Sequence, residues 1–308
     1  MPFPRATGSP DYSSGSTSKF IPAIWASKLL VKFYDATVFH AISNTEYEGE
    51  IKAYGDTVHI RTTPTITIRK YVKGQTLVHQ RPDSPAVDLN IDQGRYFDLI
   101  LDDVDRVQSD IKLMDDWTRD ASEEMKIDID TGILSDIPAD ADASNKGLTA
   151  GRKSASFNLG ATGTPLTLNK INIVDTLVDC GTILDEQNMP ESERWMVLPG
   201  WATNFIKKSD LKDASLSGDG TSMLRNGRIG MIDRFMIYYS NLVSTVTDGG
   251  TVYNILFGHK SALTFASQMV ELDTLKAEST FGQIVRGLNV YGFKVIKPVS
   301  MGLLYAKK

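Results

Sequence analysis

The stretch GDTVHIRTTPTITIRKY, residues 55–71, alternates apolar and polar side chains with a period of two. Val58, Ile60, Thr62, Ile66 and Ile68 fall on one face, and His59, Arg61, Thr63, Thr65, Thr67 and Arg69 on the other. Such alternation marks a strand with one dry and one wet face. Pro64 has no amide hydrogen to give to a ladder, which places this strand at an edge or in a two-stranded ribbon. The chain then stays extended. Lys73–Gln75 reads as a turn, Pro82 and Pro85 oppose helix, and a second strand is expected around GRYFDLIL, residues 94–101. Two arms of about 15 residues at roughly 3.3 Å per residue reach on the order of 50 Å, whereas a compact chain of this length has a radius of gyration of about 19 Å. The ribbon is therefore expected to project beyond its own subunit, with its apolar face covered by another molecule.

Beyond the ribbon lies the clearest helical pattern, residues 102–130, in which Val104, Val107, Ile111, Met114, Thr118, Ala121 and Met125 paint one apolar stripe. Asp102, Asp103 and Asp105 are expected in its first turn, where carboxylates oppose the positive end of the helix dipole. Residues 1–19 contain little to bury and read as an arm that only a partner would order. Pro22 suits the first turn of a helix carrying Ile21, Trp25, Leu29 and Phe33. Residues 139–168, rich in Gly, Ala, Ser and Thr, mark a loop or a boundary. Downstream, a helix is expected over 168–187, a buried strand at ERWMVLP (193–199), a helix at 200–210, strands within 227–241 and 251–258, a short helix at HKSALTFASQ (259–268), and strands in the tail from 279.

A chain of 308 residues with 41% hydrophobic and 23% charged residues is long enough to bury a substantial core and to divide into two units. A net charge of −5 argues against a protein whose main work is gripping nucleic-acid phosphates. One cysteine, Cys180, excludes an intramolecular disulfide and a thiolate metal cluster within the chain. The most apolar window, residues 20–42, is broken by Lys28, Lys32 and Asp35, so neither a membrane span nor a signal peptide is expected.

Catalytic motifs are missing: there is no GxGxxG, no GxxxxGK, no HExxH and no GxSxG. His40, His59, His79 and His259 belong to different expected elements, and no catalytic, cofactor or metal residues are assigned. The acidic groups Asp102, Asp103 and Asp105, and Asp128, Asp130, Asp140 and Asp142, are the best lead for an alternative reading as a soluble hydrolase using a carboxylate cluster. The structural reading is preferred, with the first group at a helix start and the second at a solvated helix end and loop. Gly227 and Gly230 read as a hairpin turn, Cys180 as buried packing, and Trp195 and Trp201 as core.

Taken in order, three passages resemble one family. These are WASKLLVKFYDATVFHAISNTEYEGEIKAYGDTVHIRTTPTITIRKYVKGQ (25–75), LDEQNMPESERWMVLPGWATNFIKKSD (184–210) and VRGLNVYGFKVIKP (285–298). They resemble tailed-bacteriophage major capsid (coat) proteins of the Hong Kong 97-like fold, and the resemblance runs over nearly the whole chain from Phe20. It implies an α+β fold with an N-terminal arm (1–45), an extended β-hairpin loop (46–98), a spine-helix peripheral domain (99–140 and 262–308) and an axial domain (141–261). It also implies self-assembly into hexamers and pentamers of an icosahedral head that encloses double-stranded DNA without sequence specificity. A virion shell assembled in the host bacterial cytoplasm follows from the same resemblance. The implied partners are a separate scaffolding protein, since 45 residues of arm leave no room for a built-in one, a portal protein and a decoration or cement protein. No membrane partner and no cofactor are expected. Residues 211–227 are too short for the inserted domain of some relatives, and no cross-link is assigned to Lys70 or Lys73. The expected intersubunit contacts are Arg61, Arg69, Lys70, Tyr71, Lys73, Phe20 and Trp25.

Overall fold

The computed structural model describes residues 37–46, 57–64, 66–102, 113–209, 230–277 and 281–308. Residues 1–36 of the expected arm, which hold the helix at Pro22 with Phe20 and Trp25, lie outside the described residues, as do Val104, Val107, Ile111, Asp103, Asp105 and Gly227. The described chain forms three sheets and three substantial helices, a mixed α+β fold.

Strand β5 (Arg194–Leu198) organises the largest sheet, because all five of its residues are buried. It pairs in parallel with β7 (Phe235–Tyr239) and antiparallel with β9 (Thr251–His259). Strand β6 (Met231–Ile232) extends the β7 side; on the other, β12 (Met301–Lys307) and β4 (Leu166–Thr167) follow β9, and β8 (Thr245–Thr247) also pairs with β9. Because successive side chains point to opposite faces, β5 supplies two cores at once. Met196 and Leu198 join Leu177, Cys180, Leu184 and Ile206, contributed by helices α3 (Ile173–Glu186) and α4 (Gly200–Lys208). Trp195 and Val197 join Ile42, Ile133, Leu134 and Ile137. A near-continuous apolar run is what a strand covered on both faces requires.

The second sheet is antiparallel, in the order β10 (Leu263–Lys276), β11 (Gly282–Val295), β3 (Gln93–Asp102). Helix α2 (Leu113–Asp136) packs against β3, and its last turns are the buried ones: Ile129, Ile133 and Leu134 are all buried. The short helix α1 (Phe39–Ile42) docks there, with the Phe39 ring 4.2 Å from that of Phe265. The third sheet is a ribbon of β1 (Thr57–Arg61) and β2 (Ala86–Asn90).

Several sequence expectations change. GRYFDLIL does not return along the ribbon; it belongs to β3 and pairs with β11, while residues 86–90 pair with β1. Asp102 closes β3 instead of sitting in the first turn of a helix. Helix α2 runs to Asp136, beyond the expected end at 130, because Ile133, Leu134 and Ile137 continue its apolar face. The segment 259–268 is not a helix: after a 3-10 turn at Lys260–Ala262 it enters β10, whose ladder with β11 overrides the local preference of a Ser/Ala/Leu run. Gly230 precedes β6, and the tight hairpin is Asp233–Arg234, with φ of 43° and 67° as a primed two-residue turn demands. Strand β12 lies in the large sheet, apart from β10 and β11, although the sequence reading groups residues 262–308 together.

Candidate functional site

The ribbon begins as an ordinary ladder. Thr57 faces Asn90 and Arg61 faces Ala86, with five residue pairs in register. Ile60 and Leu89 are buried against Ala266, and Val58 and Ile296 close the rim of this small core. On the wet side His59 Nδ1 lies 2.6 Å from Asp88 Oδ1.

Above Arg61 the backbone ladder gives out, as the three prolines require, and side chains take over. Thr62 donates both its amide and its hydroxyl to the Pro85 carbonyl, at 3.0 and 2.6 Å, and the Ser84 hydroxyl donates back to Thr62 O. Midway, the Gln80 side-chain amide stands in for a peptide unit: its Oε1 accepts from Thr67 N at 3.1 Å and its Nε2 donates to Thr67 O at 2.7 Å. At the tip, Gln75 N donates to Val72 O at 3.2 Å, and Gly74 has a φ of +86°. A type II turn needs such a φ at its third position, and glycine meets the need without strain.

This frame displays Ile66, Ile68, Tyr71, Val72, Leu77 and Val78, each at least 56% exposed. So many large apolar side chains on one narrow element mark a contact surface. Between residues 61 and 82 the sequence holds Arg61, Arg69, Lys70, Lys73 and Arg81 and no acid. None of these cations forms an ion pair among the described residues. Arg61 ends β1, while Arg69, Lys70, Tyr71 and Lys73 come together at the distal end, all exposed. The surface is thus both apolar and cationic.

The carboxylates and histidines do not converge among the described residues. Among the described residues no group of three or more His, Cys, Asp or Glu side chains could hold a metal ion. Asp128 pairs with Arg95, and Asp142 accepts from Ser144 N at 2.8 Å as a cap. Asp130 is no solvated helix end. Only 1% exposed, it accepts from Val38 N at 3.2 Å and Phe39 N at 2.9 Å, so it ties α1 to α2. Burial drives its pKa up to about 6 against the opposing pull of the two amides. His259 accepts from Ser261 N at 3.1 Å, and burial, the largest influence on it, lowers its pKa. Burial pushes the Cys180 thiol far up, leaving it inert.

Two polar hubs were not foreseen. Arg194 is 1% exposed; it donates to the carbonyls of Pro190, Gly181 and Met189 and to Asp185 Oδ1 at 2.7 Å. Burial alone would raise the Asp185 pKa, but hydrogen bonds from Arg194 and Arg234 outweigh it and hold it low. Asn145, fully buried, donates to Val299 O and Met301 O and accepts from Gln187 Nε2. Both hubs brace loops around the large sheet.

No family model and no curated relative matches the chain. Solved structures do. A chain from Mycobacterium phage Che8 is similar over 93% of this chain and 97% of its own length, with 28% identity and a TM-score of 0.76. The capsid structure of the cyanophage P-SCSP1u contains a chain similar over 98% of this one and 100% of its own length, at 14% identity and a TM-score of 0.72. The mature capsid of bacteriophage PhiM1 gives 97% coverage on both sides, 16% identity and a TM-score of 0.68.

Proposed function

We propose, for a chain that has the Hong Kong 97-like fold of tailed-phage major capsid proteins, that the ribbon is the element through which one copy grips the next. The chain is a major capsid protein, and its work is to build an icosahedral shell. It is not an enzyme: its structural neighbours are capsid proteins, and the hydrolase reading has no support. The observation that carries the ribbon's role is the set of apolar side chains from Ile66 to Val78 that the described residues of its own subunit leave exposed.

On this reading Arg61, Arg69, Lys70, Tyr71 and Lys73 contact a neighbouring subunit, and so do Phe20 and Trp25 from the arm. The apolar side chains supply contact area, and the cations steer the ribbon toward acidic surface on a chain of net charge −5. Closed symmetry then multiplies one modest contact many times over. The units follow as an arm (1–45), an extended loop cut back from 46–98 to 46–92, a peripheral domain built on α2 with β3, β10 and β11, and an axial domain built on residues 141–261 joined by β12. Hexamers and pentamers assemble in the host cytoplasm with a separate scaffolding protein, a portal protein and a decoration or cement protein. Double-stranded DNA is enclosed without sequence-specific contacts. Purified chain, passed through a sizing column and imaged in negative stain, should yield capsomers or closed particles. A stable monomer or small oligomer at every concentration and salt condition would refute assembly.

A further inference from the structure

We infer that Gly292 is a positioning residue for assembly, whose missing side chain sets the direction in which the ribbon leaves the subunit. The inference rests on the reading that the ribbon docks on a neighbour. Gly292 is buried three residues before the end of β11 and faces Ala266 of β10 across the ladder. Its φ is not positive, so conformational freedom does not explain a glycine there. Space does. A Cβ at this position would overlap the backbone carbonyl oxygen of Asn90 and lie 3.0 Å from Ile91 Cα. Both obstacles are main-chain atoms, which no rotamer change can move.

Asn90 is the last residue of β2, where the ribbon returns to its subunit. Ala266 and Gly292, two of the smallest side chains available, form a depression in the sheet at this crossing. Ile60 and Leu89 settle over the Ala266 side of it, with Ile296 at the edge. The ribbon's root is therefore seated on the backbone of the sheet at one place, and its shaft holds its own shape through the Gln80 amide.

Leverage makes the seat matter. Relieving the overlap requires a shift of about 1 Å at a paired root of roughly 15 Å, which over a ribbon on the order of 50 Å becomes about 3 Å at the tip. Side-chain contacts are lost over such a distance, since they depend on heavy atoms within about 4.5 Å. A change that barely touches the core thus misdirects the docking surface.

The test uses the full chain with Gly292→Ala, and Gly94→Ala as control; Gly94 is also a strand glycine of this sheet, but a Cβ there meets nothing within 4 Å. Spin labels on Thr76→Cys near the tip and Lys170→Cys on the body report the ribbon's aim, and buried Cys180 does not compete for label. Gly292→Ala should shift the label distance by a few ångströms or broaden its distribution. Its shells should fall at least tenfold in yield or change in diameter, with the subunit still melting cooperatively. Gly94→Ala should match the parent in every respect. If Gly292→Ala does not fold, one glycine inserted between Ile91 and Asp92 loosens the same seat, and the label distribution should broaden. Unchanged distances together with normal shells in whichever of these two variants folds would overturn the inference. Replacing residues 62–85 with a short Gly/Ser linker tests the docking reading separately. Normal shells from that deletion would refute docking and leave the seat to be judged on the label distances.

Discussion

Strand β5 and the distal ribbon both read as apolar strands, yet they meet opposite fates. Every residue of RWMVL in β5 is buried, with alternate side chains feeding two cores. In the ribbon only the root is covered; past Pro64, Ile68 stands 88% exposed. The difference lies in what flanks each strand. β5 has neighbours on both edges and cover on both faces, whereas prolines and threonines deny the ribbon a continuous ladder. An apolar face that the described residues leave exposed is what the proposed docking on a second copy would cover.

The sharpest way to break this comparison is to remove the ribbon. Replacing residues 62–85 with a Gly/Ser linker should abolish shell formation while the subunit melts cooperatively and near the parent temperature, since no residue of that segment belongs to the buried cores. Analytical ultracentrifugation and calorimetry check both halves, and unfolding on deletion would show the ribbon to be core after all.

The opposite outcome is expected in the large sheet. Arg194→Ala takes the donor from the carbonyls of Pro190, Gly181 and Met189 and leaves the partly exposed Asp185 with Arg234 alone. A buried acceptor left without its partner costs about 1–3 kcal/mol, so a loss of at least about 2 kcal/mol is expected. Denaturant melts should show that loss before any assembly assay is run. A change below 1 kcal/mol would contradict the structural role given to Arg194.

Between these regions sits Asp130, which fastens α1 to α2. Its folded pKa of about 6 lies above the ordinary carboxylate value, so the folded state binds the proton more tightly than the unfolded chain does. The stabilisation from protonation is complete below pH 3.8 and is lost as pH rises through about 6. Over that window the side chain should contribute a loss of roughly 3 kcal/mol, taking 1.36 kcal/mol per pKa unit. Asp130→Asn should flatten this component of the pH profile of subunit melting. An identical profile in parent and variant would remove the assignment.

Smallest in stability is the double charge reversal Arg61→Glu with Arg69→Glu. Both side chains are exposed, so unfolding should change by no more than about 0.5 kcal/mol. Assembly kinetics should slow and lose part of their salt dependence. Rates that match the parent at every ionic strength would exclude these two residues from the contact.

How much of this could be read from sequence follows the range of the interactions. The ribbon's outgoing strand was legible because period-two alternation and proline placement are local signals, whereas its return strand, Ala86–Asn90, is fixed by pairing with β1 and was not. β5, α3 and α4 were legible for the same reason as the outgoing strand. β10 was not: Leu263 through Lys276 becomes a strand by pairing with residues 283–295, which no local window contains. Asn145 reaches partners more than 150 residues away, and Asp130 reaches back more than 90. One signal for Asp130 was available. It falls three, four and seven residues before Ile133, Leu134 and Ile137, on the buried side of the helix, where a lone carboxylate calls for a hydrogen-bonding partner.

The central claim is that the ribbon's apolar face is covered only across a subunit boundary, and Ile68→Cys tests it directly. Cys180 is buried and inert, so maleimide labelling reports the introduced thiol alone. Labelling should be fast in unassembled subunits and at least a hundredfold slower in intact shells. Equal rates in the two states would contradict the account.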